Sequence, residues 1–499
     1  MKTNKLTLLT FALLTNISAM AQTNICNWVQ STRSSLWVEK APTGSVESKD
    51  VLTLEVNTRN TLQTVDGFGA CFNELGWKSL CELSQGQIND IMRELYQSGK
   101  GANFTMGRMP LGANDFSLNY YSLNETDGDF DMKNFSIAHD KIILIPFIKT
   151  AMKFQPHLKV WASPWCPPKW MKKNKFYAEN ADVNWNNIIL KYKSMASGKE
   201  ESDPLRFRVE ITGNGTPLNA MGFEGVTSFN MQPQYLQAYA KYFGKFVDAY
   251  KDEGINIFMV MPQNEPNSAQ PYPSCSWTAK DLNTFVGQYL GPEMQKHGVK
   301  VFAGTCERPD PLKPDTLLSD PVTSKFISGA GFQWAGKAAI KTIRQKYPAL
   351  TLYGSEQECG NGLNNWEGAM HSWDLMHEYF KDGVNGYFYW NLSLYENEPS
   401  TWGWHQNSLV TVNRVKKTYQ FTPEYYVMKH VSHFVQVGAK LLKTSGTLKD
   451  ALVFLNPDKS VVVIAANQTN QTENVNLKFG KKGILVSLIS NSLNTFLLK

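Results

Sequence analysis

The sequence predicts an α/β protein: a (β/α)8 TIM barrel with an attached C-terminal antiparallel β-sandwich. Three observations carry that reading. Short apolar runs alternate with helix-period stretches from about residue 63 to residue 424. From residue 425 the helical rhythm gives way to short strand-like runs separated by Asn, Gly and Pro turns. The apolar runs of the first region end on polar or aromatic residues, which is where barrel strands deliver side chains to a cleft.

Met1 to Ala21 reads as a signal peptide. Lys2 and Lys5 supply the positive start, Leu6 to Ile17 is mostly apolar, and Ala19-Met20-Ala21 fits a small-x-small cleavage site. An exported protein is expected: secreted, periplasmic or at the cell surface. Cys26 does not sit at the expected cut, which disfavours a lipid anchor. Residues 22–62 hold one alternating piece, Val51–Val56, read as a half-exposed strand that joins the sandwich because chain ends often lie together.

Eight barrel strands are expected: Val65–Phe72, Ala102–Pro110, Lys159–Trp165, Ile257–Asn264, Lys300–Thr305, Gly329–Ala335, Thr351–Glu358 and Gly386–Leu392. Between them, Pro233–Lys251 is the clearest helix, with Leu236, Tyr239, Phe243, Phe246, Val247 and Tyr250 on one stripe. Further helices are expected near 85–97, 139–154, 280–297, 336–347 and 366–382. Ser197–Ser228 reads as a long loop. In residues 425–499 the strands are Ala451–Asn456, Ser460–Ala466, Val475–Phe479 and Gly483–Ser487.

Composition narrows the function. A net charge of +6 over 499 residues, with no Lys/Arg run, gives no footprint for nucleic acid. No stretch beyond the leader reaches the roughly 18 apolar residues of a membrane helix, so no integral membrane segment is expected in the mature chain. Seven irregularly spaced Cys do not make a disulfide framework, although Cys71 and Cys81 are candidates to pair. No CxxC or HExxH motif points to a metal, and no organic cofactor is implied. The 14 Trp suit the flat apolar faces of sugar rings.

The chemistry sits in the strand tips. The fourth strand runs into Asn264-Glu265-Pro266, and Pro266 cannot donate to a ladder, so pairing should stop there. The seventh ends Ser355-Glu356-Gln357-Glu358. Carboxylates on those two tips would face each other across the barrel mouth. Glycoside cleavage needs such a pair, one protonated to assist the leaving oxygen and one ionised to attack the sugar or activate water. Arg108 is placed to hold a nucleophile charged, or else to make a structural ion pair under the rim. Asn264 is placed to bond the sugar 2-hydroxyl, and Trp390 to floor the ring.

These tips together resemble glycoside hydrolase family 30, which includes lysosomal-type glucosylceramidases and microbial β-1,6-glucanases. The resemblance runs through Asp66-Gly67-Phe68-Gly69, Arg108-Met109-Pro110, Asn114-Asp115-Phe116-Ser117, Ala162-Ser163-Pro164-Trp165, Asn264-Glu265-Pro266, Ser355-Glu356 and Trp390-Asn391-Leu392. It implies a retaining mechanism with Glu265 as acid/base and Glu356 as nucleophile. It also implies sugar contacts from Asp115, Trp165, Asn264 and Trp390, with Gln333 at a further substrate position. Where glucosylceramidases carry a His and a Tyr after the sixth strand, this chain has Gln333 and Ala335, which makes it more similar to the β-1,6-glucanase branch. Glu358, two residues past Glu356, is the competing carboxylate, read as a structural partner or subsite contact because Ser355-Glu356 fits the family motif better. Three readings follow: an endo-β-1,6-glucanase, an exo-acting β-glucosidase or glucosylceramidase on the same scaffold, and a silent carbohydrate-binding protein. The expected partner in each is a polysaccharide or oligosaccharide β-glucan or related glucoside. Sequence leaves the oligomeric state open.

Overall fold

The computed structural model describes residues 25–41, 51–180, 222–480 and 482–499. The expected leader, and all of the expected Ser197–Ser228 loop before residue 222, lie outside them.

Strands β1 (Ile25–Thr32), β2 (Ser35–Glu39) and β3 (Val51–Thr64) precede a closed parallel barrel. The barrel comprises β4 (Gly67–Cys71), β5 (Met106–Pro110), β6 (Lys159–Ser163), β7 (Ile257–Val260), β8 (Lys300–Cys306), β9 (Ile327–Gln333), β10 (Thr351–Glu356) and β11 (Gly386–Asn391). Each of the eight expected barrel strands overlaps one of these, and the differences at the ends have backbone causes. Ala102 and Phe104 donate to the carbonyls of Glu94 and Leu95, capping a helix end, so β5 begins only at Met106. β6 stops at Ser163 because Pro164 has no N–H, and β7 stops before Pro262.

The inward side chains Met106, Trp161, Met259, Met261, Phe302, Tyr353 and Phe388 fill the barrel, with Trp161 and Phe388 edge-to-face at 5.2 Å. The interior is therefore a packed floor beneath the C-terminal mouth.

The outer helices follow their apolar stripes. Pro233–Asp252 starts on a proline, whose missing N–H costs nothing in the first turn, and buries Leu236, Tyr239, Phe243, Phe246, Val247 and Tyr250. Gln85–Tyr96 opens with a capping box between Ser84 and Gln87. The helix expected near 139–154 spans only Leu144–Met152, with Pro146 in its first turn. The one expected near 280–297 is broken by a π turn at Val286–Leu290, just before Pro292. Helices Glu74–Leu80, Leu312–Ser319 and Pro423–Ser432 had no clear sequence signal; the last crosses residue 425, where the sequence reading divides the chain.

After the barrel come β12 (Ser393–Tyr395), β13 (Val410–Asn413) and β14 (Thr418–Phe421), a small three-stranded sheet. The sandwich follows, with β15 (Lys440–Gly446), β16 (Ala451–Leu455), β17 (Val461–Asn467), β18 (Glu473–Phe479), β19 (Lys482–Leu488) and β20 (Ser492–Leu498). These six join β1–β3 in the order β19-β18-β3-β15-β16-β17-β20-β1-β2. Strand alternation divides their side chains between two cores. On β17, Val461, Val463 and Ala465 point into the sandwich, while Val462, Ile464 and Ala466 belong to the barrel core. β15 and β20 were not foreseen. In β20 the reason is visible, because polar residues sit inside: Asn494 Oδ1 accepts from Trp28 Nε1 at 3.1 Å and Gln30 Nε2 at 2.9 Å, and Thr495 pairs with buried His430.

Candidate active site

The site begins one layer above the barrel floor. On β5, Met106 and Arg108 both point inward, so Arg108 stacks over Trp161, with its guanidinium 5.0 Å from the ring centroid. It also lies 4.5 Å from the Trp165 ring and 5.3 Å from the Trp390 ring. Arg108 is completely buried, and its two terminal nitrogens donate to protein groups, while Nε has no partner among the described residues. Nη1 donates to Glu356 Oε2 at 2.6 Å and to the Ser355 carbonyl at 3.2 Å. Nη2 donates to Asn264 Oδ1 at 2.7 Å and Ser163 Oγ at 3.1 Å. The ion pair expected of Arg108 is therefore made with Glu356, inside the site.

Glu265 and Glu356 converge through Gln333. The Gln333 amide nitrogen is 3.1 Å from Glu265 Oε1 and 3.2 Å from Glu356 Oε2. One oxygen of each carboxyl therefore lies within a single hydrogen bond of the same nitrogen. A bulge helps bring them together. Between Gly354 and Glu356, β10 carries one residue more than β9. The strict alternation is interrupted, so both the Ser355 hydroxyl and the Glu356 carboxylate reach Gln333. Glu265 has a left-handed backbone, φ 48°, as does Trp334 beside it. Such strain in non-glycine residues gathers at functional sites.

Glu358 lies elsewhere. β10 ends at Glu356, so the shared-face argument for residues two apart does not extend to Glu358. Its carboxylate takes Lys337 Nζ at 2.6 Å and lies 3.5 Å from His371. Burial works against its charge, but those two partners hold it below the usual carboxylate range.

The two facing carboxyls have unequal environments. Burial pushes Glu265 well above the ordinary range, and the charges of Glu356 and Glu307 push the same way. Burial also raises Glu356, but there the Arg108 charge and hydrogen bond pull back most strongly. Acid and nucleophile need that ordering.

A cavity of about 340 Å³ opens above the pair, and Asp115, Trp165, Asn264, Glu265 and Glu356 all line it. Asp115 is raised well above its usual range, by burial first and then by Glu356, while Trp165 hydrogen-bonds to it; its Oδ1 has no partner among the described residues. Asn264 Oδ1 accepts from Arg108, Thr305 and Gln333, which turns the Nδ2 donor away from them. Trp390 packs behind Trp165 at 5.3 Å, and its buried indole N–H has no described partner. Gln333 is wholly buried, does not line the cavity, and has both ends of its amide engaged by protein.

Sequence reasoning missed Ser268, Tyr272, Glu307, Arg308 and Trp404, which also line the cavity. Four of them stand on loops without periodicity. Glu307 did carry a signal, since it directly follows β8, where a barrel strand hands residues to the mouth. Its Oε1 accepts from the Asn267 N–H at 2.9 Å and the Ser268 hydroxyl at 3.0 Å. Cys71 and Cys81 carry separate free thiols, one buried and one exposed.

Comparison with known proteins adds to this geometry. The family model described as the glycosyl hydrolase family 30 TIM-barrel domain matches residues 65–194 and 215–435, and the family 30 β-sandwich model matches 438–496. The chain is 25% identical to the mouse lysosomal acid glucosylceramidase, over 89% of this chain and 83% of that protein. It is equally 25% identical to an Aspergillus fumigatus endo-1,6-β-D-glucanase, over 86% of this chain and 84% of the relative. A solved endo-β1,6-glucanase superposes with a TM-score of 0.76 at 22% identity, over 94% of this chain and 99% of that one, which shows a common fold.

Proposed function

The chain belongs to glycosyl hydrolase family 30, and on that premise we propose that it is a retaining β-glucan hydrolase that cuts β-1,6 linkages within the polymer. The observation that supports the mechanism is the Glu265–Gln333–Glu356 bridge, which gathers both carboxyls around one amide nitrogen, so that an acid and a nucleophile can meet at one anomeric centre. Glu265 gives its proton to the glycosidic oxygen as the Glu356 carboxylate attacks the anomeric carbon and the C–O bond breaks. The sugar is left esterified to Glu356, and Glu265 is left ionised. Water then gives a proton to Glu265, attacks the same carbon and frees the Glu356 carboxylate. Asn264 Nδ2 bonds the 2-hydroxyl. Asp115 and Trp165 bind the sugar on the glycone side, with Trp390 backing the wall.

The β-1,6 linkage is taken from the endo-1,6-β-D-glucanase relatives, and the leaving group from the cavity lining. Past Glu265 the cavity is lined by Ser268, Gln270, Glu307 and Arg308. Alkyl chains laid there would strip water from charged and amide groups, whereas a sugar would hydrogen-bond to them. That supports a glycan leaving group over a ceramide, a choice that the relatives do not make, since glucosylceramidases align at 25–28% identity and endo-1,6-β-D-glucanases at 24–25%.

Reducing-sugar release from pustulan, a β-1,6-glucan, should exceed release from β-1,3- and β-1,4-glucans and turnover of glucosylceramide micelles. Oligomer ladders at early times mark endo action, and glucose alone marks the exo alternative. Glu265→Gln and Glu356→Gln should each lower pustulan turnover by about a thousandfold or more, with unchanged thermal unfolding. Full activity in both variants would overturn the assignment.

A further inference from the structure

Gln333 has an unusual position for a neutral side chain. It is fully buried at the tip of β9 and meets the carboxyls on both β7's and β10's side of the mouth. Its nitrogen carries two hydrogens. Three acceptors lie within reach of them: Asn264 Oδ1 at 3.1 Å, Glu265 Oε1 at 3.1 Å and Glu356 Oε2 at 3.2 Å. The other end of the amide is pinned, because Oε1 accepts from Ser355 Oγ at 3.0 Å and from Arg108 Nη1 at 3.4 Å. The amide therefore cannot flip or leave, and one acceptor is always short of a full bond.

We infer that Gln333 is a positioning residue for both halves of the double displacement, its one amide bonding Glu356 Oε2 before transfer of the sugar and Glu265 Oε1 after it. This rests on the retaining reading above. Before transfer the negative charge lies on Glu356, and hydrogen bonds to charged oxygens are the stronger ones. After transfer Glu356 is a neutral ester and Glu265 is the anion. A donor set between the two oxygens follows the charge with a small turn of N–H and no movement of the chain. An amide does not titrate in the working range, so it serves both states at any pH.

The test uses the full-length enzyme and dinitrophenyl β-glucoside, whose leaving group needs no proton. With it, kcat/KM reports formation of the glycosyl-enzyme and kcat reports its hydrolysis. Gln333→Met keeps the length and removes the donor. Both kcat/KM and kcat should fall at least tenfold, and the acidic limb of each pH profile should move to higher pH. The kcat/KM limb moves because Glu356 is harder to ionise in the free enzyme, and the kcat limb because Glu265 is harder to ionise in the intermediate. Gln333→Leu also removes the donor, is smaller and adds no charge, so it covers the case in which the first variant does not fold. The same two limbs should move the same way. A loss in one rate alone, or limbs left in place, overturns the inference and marks Gln333 as scaffolding. Glu356→Gln, which should lose both rates, and Glu265→Gln, which should lose kcat while keeping kcat/KM on this substrate, are run beside them, and kcat retained in both rejects the retaining reading whatever Gln333 does.

Discussion

Arg108 makes five hydrogen bonds from its two terminal nitrogens and lies against three indoles. Its charge is the strongest influence drawing Glu356 down against burial. As the proposed nucleophile, Glu356 must be ionised, so activity should be lost as pH falls through its pKa. Arg108→Met removes the counter-charge, which raises that pKa and moves the acidic limb of kcat/KM to higher pH. The loss at neutral pH should reach about a hundredfold, and stripping one partner from a buried pair should cost about 3–5 kcal/mol in a urea melt. Arg108→Lys keeps the charge but not the fork, and should restore the limb more than the rate. Much of this was legible at the level of single residues. Arg108, Asn264, Glu265 and Glu356 all lie where a strand period meets a polar tip. The choice of Glu356 over Glu358 was not legible from periodicity, because the strand ends at Glu356 and the shared face of residues two apart does not continue to Glu358.

At the scale of elements, strands were easier to read than their ends. Apolar runs announce a barrel strand; its stop is set by whichever backbone group finds another partner, as with Ala102 and Phe104 at the entry to β5. The helix Pro423–Ser432 was hidden for a different reason, since it buries polar residues. Among them is Glu424, whose Oε1 accepts from Asn407 Nδ2 at 3.0 Å and Ser372 Oγ at 3.2 Å. Burial pushes Glu424 up from 4.5 to about 7. A carboxyl raised in the fold binds more protons folded than unfolded, so stability falls as pH rises from 4.5 to about 7 and then levels. Glu424→Gln should remove that slope. Thermal melts across pH 4.5–8 should show the variant gaining on the wild type by up to about 3 kcal/mol at the alkaline end, with little difference at the acidic end.

The whole molecule is held by strands that serve two cores at once. Because β17 gives Ile464 to the barrel and Val463 to the sandwich, neither part can loosen its side of the strand alone. Ile464→Ala should cost about 2–5 kcal/mol, and the loss should appear in one transition when followed by far-ultraviolet circular dichroism and by residual activity. Two separate transitions would show the parts to be independent. The architecture was plain in the sequence, while the pairing order was not, since β3 lies between β18 and β15 across hundreds of residues. The place of β20 has a consequence in time. It lies between β17 and β1, so Ile25–Thr32 leaves the ribosome long before its neighbour Ser492–Leu498. The newborn enzyme holds a seam open there until Ser492–Leu498 emerges, by which time every strand of the catalytic barrel is already made.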